Sequence, residues 1–146
     1  MSKNDKKQIQ AHESGWMIIT GNVDISAKEG HSARFLSPMS VMVKTVDTKI
    51  KPEKRYEIGY DVATDSTAGF LSSTVTFLKD NGKPVGKPTS AGVKLSTLAP
   101  DSYSPVSYIT GPAPKEAVKA QLTFTVYGAE YNKKVDINKL SFKESR

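Results

Sequence analysis

Apolar and polar residues alternate with a period of two along much of this chain, and glycine, proline or asparagine interrupts the alternation at short intervals. The cleanest run is 120–127. There Ala120, Leu122, Phe124 and Val126 fall on one side, and Gln121, Thr123, Thr125 and Tyr127 on the other. Successive side chains of a β-strand point to opposite faces, so this pattern predicts a strand with one face buried and one turned outward. The last run, 135–142, begins with Val135 and Ile137 in odd phase and ends with Leu140 and Phe142 in even phase. A one-residue slip of this kind predicts a β-bulge near Asn138–Lys139.

In the first half, 55–63 is the clearest amphipathic strand, with Tyr56, Ile58, Tyr60 and Val62 opposite Glu57, Gly59 and Asp61. Shorter β-type runs are read at 16–20, 23–26, 32–36, 41–50, 72–78, 93–97 and 104–110. Asp80-Asn81-Gly82-Lys83 carries the Asn-Gly pair that accepts the positive φ angles of tight hairpins. The segment that follows, 83–88, is expected to be an edge strand, because its prolines cannot donate to a ladder. No helix longer than a turn is read; the nearest candidate, 115–118, has the length of one turn. About nine or ten short strands with frequent turns define an all-β, two-sheet antiparallel β-sandwich. Residues 1–14 are polar and aperiodic and read as a basic N-terminal arm ahead of a single domain spanning 15–146.

With the strands in place, the chain from about Gly15 to Phe142 resembles the jelly-roll carbohydrate-binding modules of the galactose-binding-like superfold. The resemblance is carried by Gly15-Trp16, by GHSARF at 30–35 and by TKIKPEKRYEIGYDV at 48–62. It continues through VTFLKDNGKPVG at 75–86, SYSPVSYITGPAPKEAVKAQLTFTVYG at 102–128 and VDINKLSF at 135–142. It implies a jelly-roll fold and a binding rather than a catalytic role. In the family a structural calcium is held between the segment before the Trp and the Asp of the last strand. At those places this chain offers Glu13 and Asp136. Calcium takes six to eight oxygens, so with so few carboxylates no cofactor is expected; Glu13 and Asp136 are the ligands if calcium is held. The family also tends to carry a Trp in the 102–108 passage, where this chain has Tyr103.

The composition narrows the function classes. At 146 residues, with 37% hydrophobic and 25% charged residues, the chain matches one globular domain. No apolar run approaches the roughly 20 residues of a membrane-spanning helix, and no membrane partner is expected. The polar start, MSKNDKKQIQAHES, lacks the apolar centre of a secretory signal, which predicts a protein made in the cytoplasm without a signal peptide. The absence of cysteine excludes disulfides, thiolate nucleophiles and cysteine-ligated metals. The formal charge is +6, with Lys3, Lys6 and Lys7 in the arm and the remaining lysines mostly in turns. A scattered lysine surface of this kind is read as solvation, and no nucleic-acid partner is expected.

Candidate chemistry is sparse. His31-Ser32 falls in Gly30-His31-Ser32-Ala33-Arg34, which misses the second glycine and the following helix of a nucleophile elbow. His12 and His31 are far apart and make a poor zinc pair. The chain therefore reads as non-enzymatic. Glycan contact calls for exposed aromatic rings against which sugar C–H faces can stack, with planar polar groups for the hydroxyls. Trp16, Tyr56 and Tyr60 lie in apolar phase and are assigned to the core. Tyr127 shares an outward face with Gln121, and Tyr103 and Tyr131 fall in loops, so these four are the glycan candidates. A cytoplasmically made, cysteine-free sandwich with a basic arm points to a structural, decoration or attachment subunit of a larger assembly. A bacteriophage virion, released by lysis, fits best. Neighbouring subunits and a cell-wall or surface glycan are the expected partners, and a stand-alone lectin-like module is the alternative.

Overall fold

The computed structural model describes residues 10–11, 15–25 and 33–145. Eleven strands occur among them: β1 (Gln10–Ala11), β2 (Met17–Thr20), β3 (Val23–Asp24), β4 (Ala33–Phe35), β5 (Met39–Thr45), β6 (Tyr56–Thr64), β7 (Phe70–Leu78), β8 (Thr89–Lys94), β9 (Ser104–Ile109), β10 (Lys119–Tyr127) and β11 (Val135–Glu144). They form a six-stranded sheet, β1-β2-β5-β10-β7-β8, and a five-stranded sheet, β3-β4-β11-β6-β9. All pairings are antiparallel, and the expected two-sheet jelly-roll sandwich is the fold observed. From β5 onward most connections pass from one sheet to the other, so the loops gather at the two ends of the sandwich.

The period-two residues face inward as the pattern predicts. Tyr56, Ile58, Tyr60 and Val62 of β6, and Ala120, Leu122, Phe124 and Val126 of β10, are all buried. Phe124 sits at the centre, with Trp16 at 5.9 Å and Tyr60 edge-on at 5.1 Å between ring centroids. Tyr56 stacks on Phe142 at 5.4 Å. Phe142 can reach that position because β11 shifts register between Asn138 and Ser141. Lys139 adopts φ 53° in the shift, so the bulge lies where the change of phase puts it.

Three elements depart from expectation. The strand expected over 41–50 ends at Thr45, because β10 begins at Lys119 and supplies no ladder beyond the Val46 N–H to Ala120 carbonyl bond. The chain then folds over the end of the core, where Ile50 is buried and its N–H meets the Val118 carbonyl at 3.4 Å. Residues 83–88 are not an edge strand. They make one isolated bridge, Leu78 to Pro84, since two prolines and Gly86 at φ 76° interrupt the extended run. The edge is β8 instead, and the strand expected over 93–97 gives way after Lys94 to a 3-10 turn whose Leu95 is buried. Within the segment read as an arm, Gln10–Ala11 pair with β2, while Lys3, Lys6 and Lys7 lie outside the described residues.

Candidate functional site

The outer face of the six-stranded sheet is assembled in rows by strand register. Tyr127 of β10 lies opposite Phe70 of β7 and Met39 of β5, and Phe70 lies opposite Lys94 of β8. The Phe70 and Tyr127 rings stack at 5.3 Å with 27° between their planes. Both stay open to solvent, at 37% and 49% exposure. Gly69 makes the juxtaposition possible. It holds φ 93°, and a Cβ there would meet the Ala129 nitrogen at 2.6 Å and the Tyr127 carbonyl oxygen at 2.7 Å, so only glycine lets the start of β7 approach the end of β10 this closely.

Below this row the face becomes hydroxylated on one side and apolar on the other. Thr125 pairs with Ser72 and Val41, Thr123 with Thr74 and Val43, and Gln121 with Thr76 and Thr45. Thr74 Oγ1 and Ser90 Oγ share a 2.8 Å hydrogen bond across to β8. Met17, Ile19 and Met39 add exposed apolar side chains on the β2–β5 side. Phe70 and Met39 were not among the sequence candidates. Parity along β7 is the signal for Phe70: Val75 and Phe77 face inward, so Ser72, Thr74, Thr76 and Phe70 alternate with the core.

The four glycan candidates do not converge. Tyr127 and Gln121 share the outer face just described. Tyr131 stands 82% exposed in the β10–β11 turn. Tyr103 lies before β9 on the other sheet, beside a different cluster. That cluster is organised by Asp136, only 5% exposed, which lies opposite Arg34 of β4. Arg34 Nε and Nη2 donate to the two Asp136 carboxylate oxygens at 2.8 and 3.0 Å. Partial burial, and then the Asp136 and Asp61 carboxylates, push the Tyr103 phenol above its ordinary value. A guanidinium fixed on both oxygens leaves Asp136 neutralised, and Glu13 lies outside the described residues. Arg34 thus engages both Asp136 oxygens, whereas calcium takes six to eight oxygen donors. Among the described residues no group of three or more His, Asp or Glu side chains is placed to hold a metal. His12, His31 and Ser32 are outside the described residues.

One end of the sandwich is tied by carboxylates. Glu130 Oε1 accepts from the Thr67 N–H at 2.7 Å and from its hydroxyl at 3.0 Å, and these bonds hold Glu130 below the usual carboxylate range. Asp65 Oδ1 accepts from the Lys134 N–H at 2.8 Å. Burial alone would raise Asp65, but that bond together with the Lys134 and Lys133 ammonium groups holds it below its ordinary value. A cavity of about 200 Å³ beside them is lined by Thr64, Asp65, Ser66, Leu95 and Pro100 among others.

No protein-family model matches the chain, and no curated protein matches it in sequence. Solved structures do match. The enzymatically active domain of bacteriophage CBA120 tailspike protein 4 superposes with a TM-score of 0.67 at 15% identity over 92% of this chain. This chain spans only 20% of that one. The xylan-binding module CBM15 gives a TM-score of 0.62 at 13% identity, covering 90% of this chain and 92% of its own. A CBM4 structure gives 0.58 at 14% identity, covering 90% and 96%. The chain thus has the β-sandwich fold of carbohydrate-binding modules, and at these identities the likeness is one of fold.

Proposed function

We propose that this protein is a non-catalytic β-sandwich interaction module that contacts a glycan through the outer face of its six-stranded sheet. In this reading it serves as a decoration or attachment subunit of a larger assembly, such as a phage particle. The observation that carries the glycan contact is the exposed Phe70–Tyr127 stack standing at the head of a column of Thr125, Thr123 and Gln121. A sugar ring offers C–H bonds to a flat aromatic surface and hydroxyls to amide and hydroxyl side chains, and this face supplies both in sequence. The fold shared with CBM15 and CBM4 modules supports the reading. The exposed Met17, Ile19 and Met39 beside Val41 and Val43 support a protein partner on the β2–β5 side, which a stand-alone lectin would not need. The likeness to part of a phage tailspike agrees with that setting.

A panel of soluble and insoluble cell-wall polysaccharides tests the glycan contact. Tyr127→Ala and Phe70→Ala should each weaken binding by about tenfold, with unchanged circular dichroism, since one lost stacking contact is worth on the order of 1 kcal/mol. Binding indifferent to both substitutions, or no binding to any polysaccharide, rejects the reading.

A further inference from the structure

The lysines of this chain are concentrated at one end of the sandwich. Three connections meet there: 46–55, 79–88 and 111–118. The Glu53 N–H donates to the Ala113 carbonyl at 2.9 Å, and the Ala113 N–H to the Lys54 carbonyl at 2.8 Å. The Val118 N–H reaches the Leu78 carbonyl at 2.9 Å, and Gly86 packs on the Pro114 ring. The first connection carries Lys49, Lys51, Lys54 and Arg55 against Asp47 and Glu53. The second carries Lys79, Lys83 and Lys87 against Asp80. Lys115 and Lys119 stand against Glu116 in and just after the third. Nine basic side chains thus meet four carboxylates within these connections, and Glu144 at the end of β11 is a fifth, which leaves an excess of four positive charges at this end against +6 for the whole chain. Of the nine, Lys51 alone has a carboxylate within ion-pair distance among the described residues, Glu144 at 3.7 Å. The opposite end holds Asp65, Asp101 and Glu130 against Lys133 and Lys134.

The basic end and the aromatic row belong to one continuous face. Lys119, exposed, shares the outward parity of Gln121, Thr123, Thr125 and Tyr127 on β10. The column from Tyr127 to Lys119 is therefore about 26 Å long at the rise of a β-strand. Lys94, opposite Phe70, places a cation in the aromatic row as well.

We propose that the glycan engaged by this face is an acidic polysaccharide. It lies along β10, with one sugar on the Phe70–Tyr127 stack and the anionic groups of later sugars at the basic end. The proposal rests on the sheet-face reading above and adds the charge class and direction of the ligand. Lysine ammonium groups are mobile point charges on flexible stems, suited to carboxylates repeating along a polymer rather than to one rigid anion. Nucleic acid fits this end less well. The three connections carry no exposed aromatic ring for base stacking, and the described residues hold no α-helix for a major groove.

The test compares polygalacturonate with its fully methyl-esterified form, which share a backbone and differ in charge. A duplex DNA of mixed sequence serves as a third probe. The intact protein should prefer the charged form by about tenfold at low ionic strength, with the preference fading as salt screens it. A Lys87→Glu/Lys115→Glu/Lys119→Glu variant should lose the preference, while Tyr127→Ala should weaken both forms alike. Equal binding to the two forms overturns the proposal. So does no binding of polygalacturonate, a preference that survives the triple variant, or DNA binding as tight as polygalacturonate binding. Tyr127→Ala weakening both forms in the absence of charge preference overturns only this inference and leaves the sheet-face reading in place. If Tyr127→Ala changes neither, the sheet-face reading itself fails.

Discussion

The outer faces of the two sheets are built from strands of similar length yet differ in what holds them. On the six-stranded sheet, β5, β10 and β7 run in unbroken register, and the rows between Tyr127 and Gln121 carry no charged side chain. On the five-stranded sheet, β11 is interrupted at Lys139 and its outward position Asp136 is locked to Arg34. The first face is regular, uncharged over its centre and open. The second is irregular and charged, and its Arg34–Asp136 pair is closed on itself. A surface whose polar groups are already paired has little left for a ligand, whereas hydroxyls and rings facing water can exchange that water for a sugar. The contrast argues for placing recognition on the six-stranded sheet and scaffolding on the other.

The largest expected effect that tests this contrast is on stability. Asp136→Ala removes the carboxylate that neutralises Arg34 and should cost about 3 kcal/mol in urea unfolding, lessened because the Arg34 side chain keeps 30% exposure. Thr123→Ala, at the centre of the other face, should stay within about 0.5 kcal/mol. Equal losses would erase the distinction between a scaffolding face and an open one. The bulge gives a smaller effect. Lys139 holds φ 53°, which a β-branched side chain accepts poorly, so Lys139→Val should cost about 1 kcal/mol by thermal unfolding. Thr123→Val on the unbroken β10 should be neutral; a neutral Lys139→Val would show that the irregularity carries no strain.

The smallest effect concerns pH. Asp65 and Glu130 are held below their ordinary values in the fold, so they bind fewer protons folded than unfolded. Their contribution is fully present above the ordinary carboxylate range and is lost as pH falls through the lowered folded values. Asp65→Asn should therefore flatten the acid limb of a melting-temperature profile, while substitutions of the uncharged central rows of the six-stranded sheet leave that limb unchanged. An acid limb indifferent to Asp65→Asn would place the pH sensitivity elsewhere.

Much of the architecture was legible along the chain because a period of two is a local property. The inward sets of β6 and β10, and the phase slip that marks the bulge, need only neighbours in sequence to be read. Strand ends were less legible. Thr45 ends β5 because its partner β10 starts at Lys119, a fact about a strand more than seventy residues away. The site was read in part. Tyr127 and Gln121 are placed on one face by their own strand, but Phe70 joins them through register with β7, and Tyr103 is taken to the other sheet by β9 pairing with β6.

By itself, then, the sequence determined the long central strands, the buried face of each and the class of fold, since these follow from alternation and turn chemistry. Tertiary structure alone decided which outward residues become neighbours. It stacked Phe70 on Tyr127, closed Arg34 on Asp136 and drew lysines from three separate turns to one end. Those contacts join positions tens of residues apart, through strand order and register, which no local pattern encodes.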